Sequence, residues 1–236
     1  MATNAKRANS YNVATRGKLV DAAEQLFAER SYESVTLKEI EAVAEANVGQ
    51  IVYHFGQKEE LIKEVILRRA GLISAERLQL LDAYERLVGP DNVALEPLVR
   101  AFIDPYLAKL KSEEPGWRNW ALFIGRNVWD QSLSEVISQG FNPAASRYIT
   151  AFRRALPALT QVDGARAFQL LLAGIYGSTT NDSRINSLIG DGNLSRDYDG
   201  YQEVLIPFVV GGIQSISDMR ERAAAKAAEE EGRNGL

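Results

Sequence analysis

The side chains that most often carry enzymatic or metal chemistry are nearly absent from this chain. Its 236 residues include no cysteine and one histidine, His54. That excludes a disulfide framework, thiol chemistry and a Ser-His-Asp arrangement of the usual kind, and leaves no ligand set for a structural zinc. No phosphate-binding P-loop and no dinucleotide fingerprint after a strand is present. Gly190-Asp191-Gly192-Asn193 reads as a surface turn, and Glu229-Glu230-Glu231 as a solvated tail. The chemistry that remains is recognition, and it concentrates in residues 36–61. Gln50 has the amide that can meet an adenine edge bidentately, although a solvent-facing glutamine is an equal reading. Gly49 lets a backbone approach a partner closely. Thr36, Tyr53 and Lys58 can contact phosphates. Lysine at a helix start opposes the macrodipole, so the place of Lys58 asks for a functional reason. His54 is expected to be packed and hydrogen-bonded rather than a switch.

Two short helices and a tight turn must position those groups. Thr36-Leu37-Lys38-Glu39 has the form of a capping box, in which a hydroxyl and a carboxylate each satisfy an orphan N–H. Leu37, Ile40, Val43 and Ala44 follow at helical spacing. Asn47 is expected to cap a second helix, with Val48, Gly49 and Gln50 projecting outward and Ile51 and Val52 anchoring it. Phe55-Gly56 then ends the pattern, and Lys58-Glu59-Glu60-Leu61 opens another helix. A preceding helix from about Thr15, with Leu19, Val20, Ala23, Leu26 and Phe27 as its core stripe, holds the pair. This is helix-turn-helix on the scale that the major groove of DNA accepts.

Ala44-Glu45-Ala46-Asn47-Val48-Gly49-Gln50-Ile51-Val52-Tyr53-His54-Phe55, followed by Lys58-Glu59-Glu60-Leu61, resembles the DNA-binding signature of the TetR family of transcriptional regulators. The likeness extends upstream through residues 22–29 to Thr36 and Ile40, so it covers the first quarter to third of the chain. It departs from the family at two positions. Glu45 stands where a turn glycine is usual, and a left-handed backbone there costs a residue with a Cβ roughly 1–2 kcal/mol. Val52 stands where a phosphate-contacting tyrosine is common, which shifts that role to Tyr53 or His54. The resemblance implies DNA contacts from Thr36, Asn47, Val48, Gly49, Gln50, Tyr53, His54 and Lys58.

Charge adds little. Residues 1–70 hold ten basic and ten acidic residues, and the net charge of −4 comes from the remainder. The distribution is more favourable than the sum, because Lys6, Arg7, Arg16 and Lys18 all precede the first acid, Asp21. They suggest a basic N-terminal arm that neutralises phosphates, though such a cluster alone more often marks a solvated tail. The first ten residues have no apolar signal segment, and no apolar run approaches the roughly 20 residues that span a bilayer. The expectation is a soluble cytoplasmic protein.

No strand pattern of useful length occurs, so the fold expected is all-α, with about nine helices. Residues 1–57 are expected to form a three-helix DNA-binding domain. Residues 58–236 would form a larger ligand-binding and dimerisation domain, entered by a connector helix from Lys58 that can break near Gly71 and ends at Gly89-Pro90. Further helices are expected over 95–111 with a kink at Pro105, and over 115–131, 142–156, 163–181 and 201–228. Residues 182–200 read as a loop. Phe102, Tyr106, Trp117, Trp120, Phe123, Asn127, Tyr148 and Phe152 are the candidate ligand-binding set, with Trp129, Arg126 and Arg153 nearby. Aromatics at this spacing are more often plain core, and only the resemblance favours a pocket. It also implies that the last two long helices, carrying Phe168–Tyr176 and Ile206–Met219, pair with their copies in a homodimer; a monomeric core accounts for both stripes as well. Together these readings imply a repressor released from a pseudo-palindromic operator by a small molecule, with no cofactor. The alternative is a helical small-molecule-binding protein that does not bind specific DNA.

Overall fold

The computed structural model describes residues 2–177, 183–190, 192 and 194–234, and side chains from Asn12 onward apart from 115, 183, 184, 195 and 234. Among them are ten α-helices and no strand: α1 (Ala2–Glu29), α2 (Leu37–Val43), α3 (Gln50–Phe55), α4 (Lys58–Val88), α5 (Leu95–Lys111), α6 (Pro115–Asn127), α7 (Ser134–Ala155), α8 (Gln161–Gly177), α9 (Ser183–Ile189) and α10 (Tyr198–Asn234). Short 3₁₀ turns lie at Gln131–Leu133 and Leu194–Arg196. No helix among the described residues is long and apolar enough to cross a membrane.

Several boundaries differ from expectation. Helix α1 reaches back to Ala2 rather than starting near Thr15. No proline interrupts its N-terminal stretch, and Ala2, Ala5 and Ala8 are strong helix formers. The side chains of Lys6 and Arg7 lie outside the described residues. Helix α4 passes through Gly71 without a break. One glycine costs a helix only about 1 kcal/mol, and Ile66, Ala70 and Ile73 beside it are fully buried. Helix α7 begins at Ser134 and continues through Pro143. The loop expected over 182–200 contains α9 and a 3₁₀ turn. The end expected for α8, 178–181, lies outside the described residues. Alanine, lysine and glutamate carry α10 past 228 to Asn234.

The chain divides into two compact units, Met1–Leu72 with Ser112–Gly140, and Ile73–Lys111 with Phe141–Leu236. In the N-terminal unit α1 packs against α2, α3 and α6. The α1 stripe is core as expected, with Leu19, Val20, Ala23, Leu26 and Phe27 all buried. Phe27 and Tyr32 meet Phe123 of α6 at ring-centroid distances of 5.4 and 6.1 Å. Trp120 is fully buried and its indole N–H donates to the Ile66 carbonyl at 3.2 Å, as a buried indole requires.

In the C-terminal unit α10 packs against α5 and α8. Phe168, Leu171, Ile175 and Tyr176 of α8 and Leu205, Ile206, Val209 and Ile213 of α10 point inward. Asp163 closes a capping box at the start of α8, exchanging bonds with Thr160, and also receives Arg220 of α10 at 2.9 and 2.7 Å. A second face of the same two helices stays exposed: Val162 and Leu170 on α8, and Val204, Phe208 and Met219 on α10.

Candidate nucleic-acid interface

The capping box read from Thr36 is present. Glu39 N–H donates to Thr36 Oγ1 at 3.3 Å, and Thr36 N–H donates to Glu39 Oε2 at 2.7 Å. That backbone bond, then Arg30 and the Thr36 hydroxyl, hold the Glu39 carboxyl down to about 2. Ile40 and Ala44 are buried, whereas Val43 is exposed.

Helix α2 ends in a Schellman turn. Ala46 N–H donates to Glu41 O at 2.9 Å and Glu45 N–H to Ala42 O at 3.2 Å. Glu45 supplies the left-handed residue, with φ 52°. The departure from the family glycine therefore leaves the turn type unchanged, and two carbonyls that would be orphaned are satisfied.

Helix α3 starts later than expected. Its N-cap is Gly49, at φ 88°, and Asn47 makes no side-chain cap. The reason is Glu41, a buried acid of α2. Its Oε1 accepts from Gly49 N–H at 2.8 Å and from Ile51 N–H at 3.2 Å, so a residue eight positions back does the capping. A left-handed N-cap explains the glycine better than close approach to DNA alone. Sequence reasoning missed Glu41, although it sits beside Ile40 on the face that α2 buries.

The outer surface of this element carries most of the candidates. Val48 is 84% exposed and Tyr53 68%; Thr36, Asn47 and Gly49 are exposed too, and Gln50 is half-buried. Ile51 anchors α3 as expected, but Val52 points outward and Phe55 takes the anchoring place. Tyr53 packs edge-on against His54 at 4.9 Å. His54 is half-buried, and its Nε2 has no hydrogen-bond partner among the described residues, contrary to expectation. Burial, then the neighbouring Arg16, push its pKa down. Arg16 lies 4.9 Å over the Phe55 ring and pairs with Glu64 at 2.7 Å.

Lys58 has a structural partner that answers the dipole question. Its ammonium donates to the carbonyls of Tyr32 and, at 3.3 Å, Glu33, fastening the start of α4 to the segment before α2. Burial lowers its pKa.

The candidate ligand-binding residues fall four to each unit. Trp117, Trp120, Phe123 and Asn127 are engaged within the N-terminal unit. Arg69 lies 4.7 Å over the Trp117 ring, and the Asn127 amide donates back to Phe123 O at 2.8 Å. Arg126 donates to Ala28 O, and Trp129 is half-exposed beyond the end of α6. Phe102, Tyr106, Tyr148 and Phe152 are buried together in the C-terminal unit. Phe102 meets Tyr148 at 4.9 Å and Phe168 at 5.0 Å, and Tyr106 meets Tyr176 at 5.8 Å. Arg153 donates to Leu159 O at 3.3 Å. No group of three or more acids and histidines that could hold a metal occurs among the described residues.

Residues 19–65 match the family model for bacterial regulatory proteins of the tetR family, and residues 100–212 match that of the tetracyclin repressor-like C-terminal domain. No curated protein matches the sequence. Among solved structures, GusR of Salmonella enterica is similar over 85% of this chain and 95% of that one, with a TM-score of 0.51 and 22% identity.

Proposed function

Because the chain belongs to the TetR family of transcription regulators, a class of DNA-binding proteins rather than enzymes, we propose that it is a cytoplasmic homodimeric repressor that a small molecule releases from its operator. The observation that carries the DNA-reading half is the outward face of α3. A buried carboxylate fixes that helix from behind, while Val48, Gly49 and Tyr53 stand clear of the protein. Residues 1–57 read the major groove through α3, with base-edge contact from Gln50 and phosphate contacts from Thr36, Tyr53 and Lys58; Asn47, Val48 and His54 lie along the same surface.

Dimerisation is supported by the second, exposed stripe of α8 and α10. Phe208 is 76% exposed, and Val204, Phe208, Gly211, Ser215 and Met219 follow one another at helical spacing down one side of α10. Each helix thus buries one face inside the subunit and offers another to a copy. Such a dimer reads half-sites about 34–36 Å apart, or a multiple of that. The effector binds among the aromatics of the C-terminal unit and acts on the connector helix from Lys58, through its differential affinity for two states.

The test is an anisotropy titration of an operator duplex selected from a random pool, between 50 and 200 mM salt. Wild type should show steep salt dependence. Tyr53→Phe keeps the ring against His54 and removes only the hydroxyl, so affinity should fall about 2–10-fold with no change in melting temperature. Phe208→Asp should give a monomer that no longer holds both half-sites. Selection of no sequence, or binding that Tyr53→Phe and Phe208→Asp leave intact, sinks this reading.

A further inference from the structure

Arg77, on α4, is 2% exposed and lies inside the C-terminal unit. Its Nε donates to Phe102 O at 2.8 Å, and the guanidinium lies 3.6 Å over the Phe102 ring and 5.9 Å from that of Tyr106. Tyr148, also buried, donates its hydroxyl to Arg77 O at 2.8 Å. An arginine has five N–H donors, and one is used. Among the described residues no acceptor meets the terminal nitrogens, and no carboxylate forms an ion pair with them.

Five acids of this unit are engaged by other groups. Glu76 is held by Lys109 at 3.2 Å, Asp82 by Arg147 at 2.7 Å, Glu85 by Arg147 and Arg154, and Asp163 by Arg220. Asp104 accepts from Gln202 at 2.7 Å. A buried cation without a counter-ion is costly, and a single bond to a backbone carbonyl does not require a charge. Burial accordingly pushes its pKa below the ordinary arginine range, with Tyr176, Tyr148, Tyr106 and, last, Glu76 opposing that shift.

We propose that Arg77 anchors the effector, and that the effector is a monocarboxylate on an aromatic body. This rests on the reading of the C-terminal unit as the ligand-sensing half. A guanidinium fork takes a carboxylate through two parallel bonds. Phe102, Tyr106, Tyr148, Phe168 and Tyr176 supply aromatic edges and faces for the rest of the molecule. A monoanion fits better than a phosphate dianion, because the neighbouring cations Lys109, Arg147 and Arg154 are already neutralised.

The experiment is thermal melting of the full chain with benzoate, phenylacetate, 3-phenylpropionate and 2-naphthoate, each beside its primary amide and amine, and with phenyl phosphate. At least one carboxylate should raise the melting temperature by several degrees in a saturable way, as any ligand of the folded state does. Its amide should do nothing, and Arg77→Met should abolish the shift. Arg77→Lys keeps the charge without the planar fork, so its half-saturating concentration should rise at least tenfold; it carries the test if Arg77→Met does not fold. Equal shifts from acid and amide, a carboxylate shift that survives Arg77→Met, a larger shift from phenyl phosphate, or no carboxylate response overturns the assignment. Saturable binding of amides or amines, unchanged in Arg77→Met, would overturn the anion site while leaving ligand sensing intact. No response from any class, and no release of the operator duplex, would take both down.

Discussion

Arg69 and Arg77 lie eight residues apart on α4, both buried and both stacked on an aromatic ring, yet the chain treats them oppositely. Arg69 is neutralised twice, by Glu24 at 3.0 Å and Glu114 at 2.7 Å, with Arg68 sharing Glu24 at 2.7 Å. Gly116 leaves the space for this, since a Cβ there would overlap the Arg69 guanidinium. Arg77 has a carbonyl and rings around it, and among the described residues no acid in ion-pair contact; Glu76 acts on it only from a distance while paired to Lys109. The same residue type on one helix thus serves as a joint in the N-terminal unit and as an open half of a pair in the C-terminal unit. What separates them is whether the sequence supplies the counter-charge.

Replacing each arginine with methionine breaks that comparison most directly, and has the largest expected effect. Arg69→Met leaves Glu24 buried with only Arg68 to answer it. The loss should lie near the lower end of the about 3–5 kcal/mol typical of a broken buried pair. Arg77→Met removes a charge that has no partner to strand, so stability should be unchanged or higher. Urea unfolding of both variants gives the answer, read as midpoints at constant slope. Equal losses would mean that Arg77 is a structural joint like Arg69.

Next in size is Glu41, a third buried charge, neutralised by backbone rather than by side chain. Glu41→Ala frees the Gly49 and Ile51 N–H groups and should cost about 1–3 kcal/mol, as for charged hydrogen bonds. It should also weaken operator binding, because α3 loses its hold on α2. Glu41→Gln retains an acceptor oxygen in the same place and should cost less than about 1 kcal/mol. If Glu41→Gln is as damaging as Glu41→Ala, the charge matters for itself and not only as an acceptor.

These contrasts explain what was legible in the sequence. The all-α fold, the α1 core stripe and the Thr36 capping box followed from spacing over a few residues, which local sequence controls, and the family from the resemblance carried by residues 44–61. The placement of α6 did not. Nothing in Trp117, Trp120 and Phe123 says whether their partners are Phe27 and Ile66 or the aromatics of α5 and α7, since that is decided by tertiary contacts between residues far apart. The start of α3 was misplaced because Glu41, not the nearest polar residue, caps it. Each buried charge nonetheless has a signal in the sequence. Glu41 adjoins Ile40 on a buried face, and Arg69 and Arg77 continue the four-residue steps of Val65, Ile73 and Leu81, all fully buried. A charged residue in register with a core stripe deserves a partner, and the search for that partner separates a joint from a site.

The smallest effect separates paired from unpaired charge by pH. Glu39 is held to about 2, and Arg220, then Thr160, hold Asp163 well below the usual carboxylate range. In each case the unfolded chain takes up its proton at a higher pH than the folded one. The stability they contribute is complete above about pH 5 and is lost as pH falls toward 2. Arg77 does not titrate there, so wild type and Arg77→Met should lose melting temperature in parallel between pH 5 and 2.5. Asp163→Asn should show a shallower loss and a lower melting temperature at pH 7, because its bond to Arg220 no longer depends on a carboxylate. A slope that steepened or flattened in Arg77→Met would reveal an acid coupled to Arg77, and the contrast with Arg69 would then be one of distance rather than of kind.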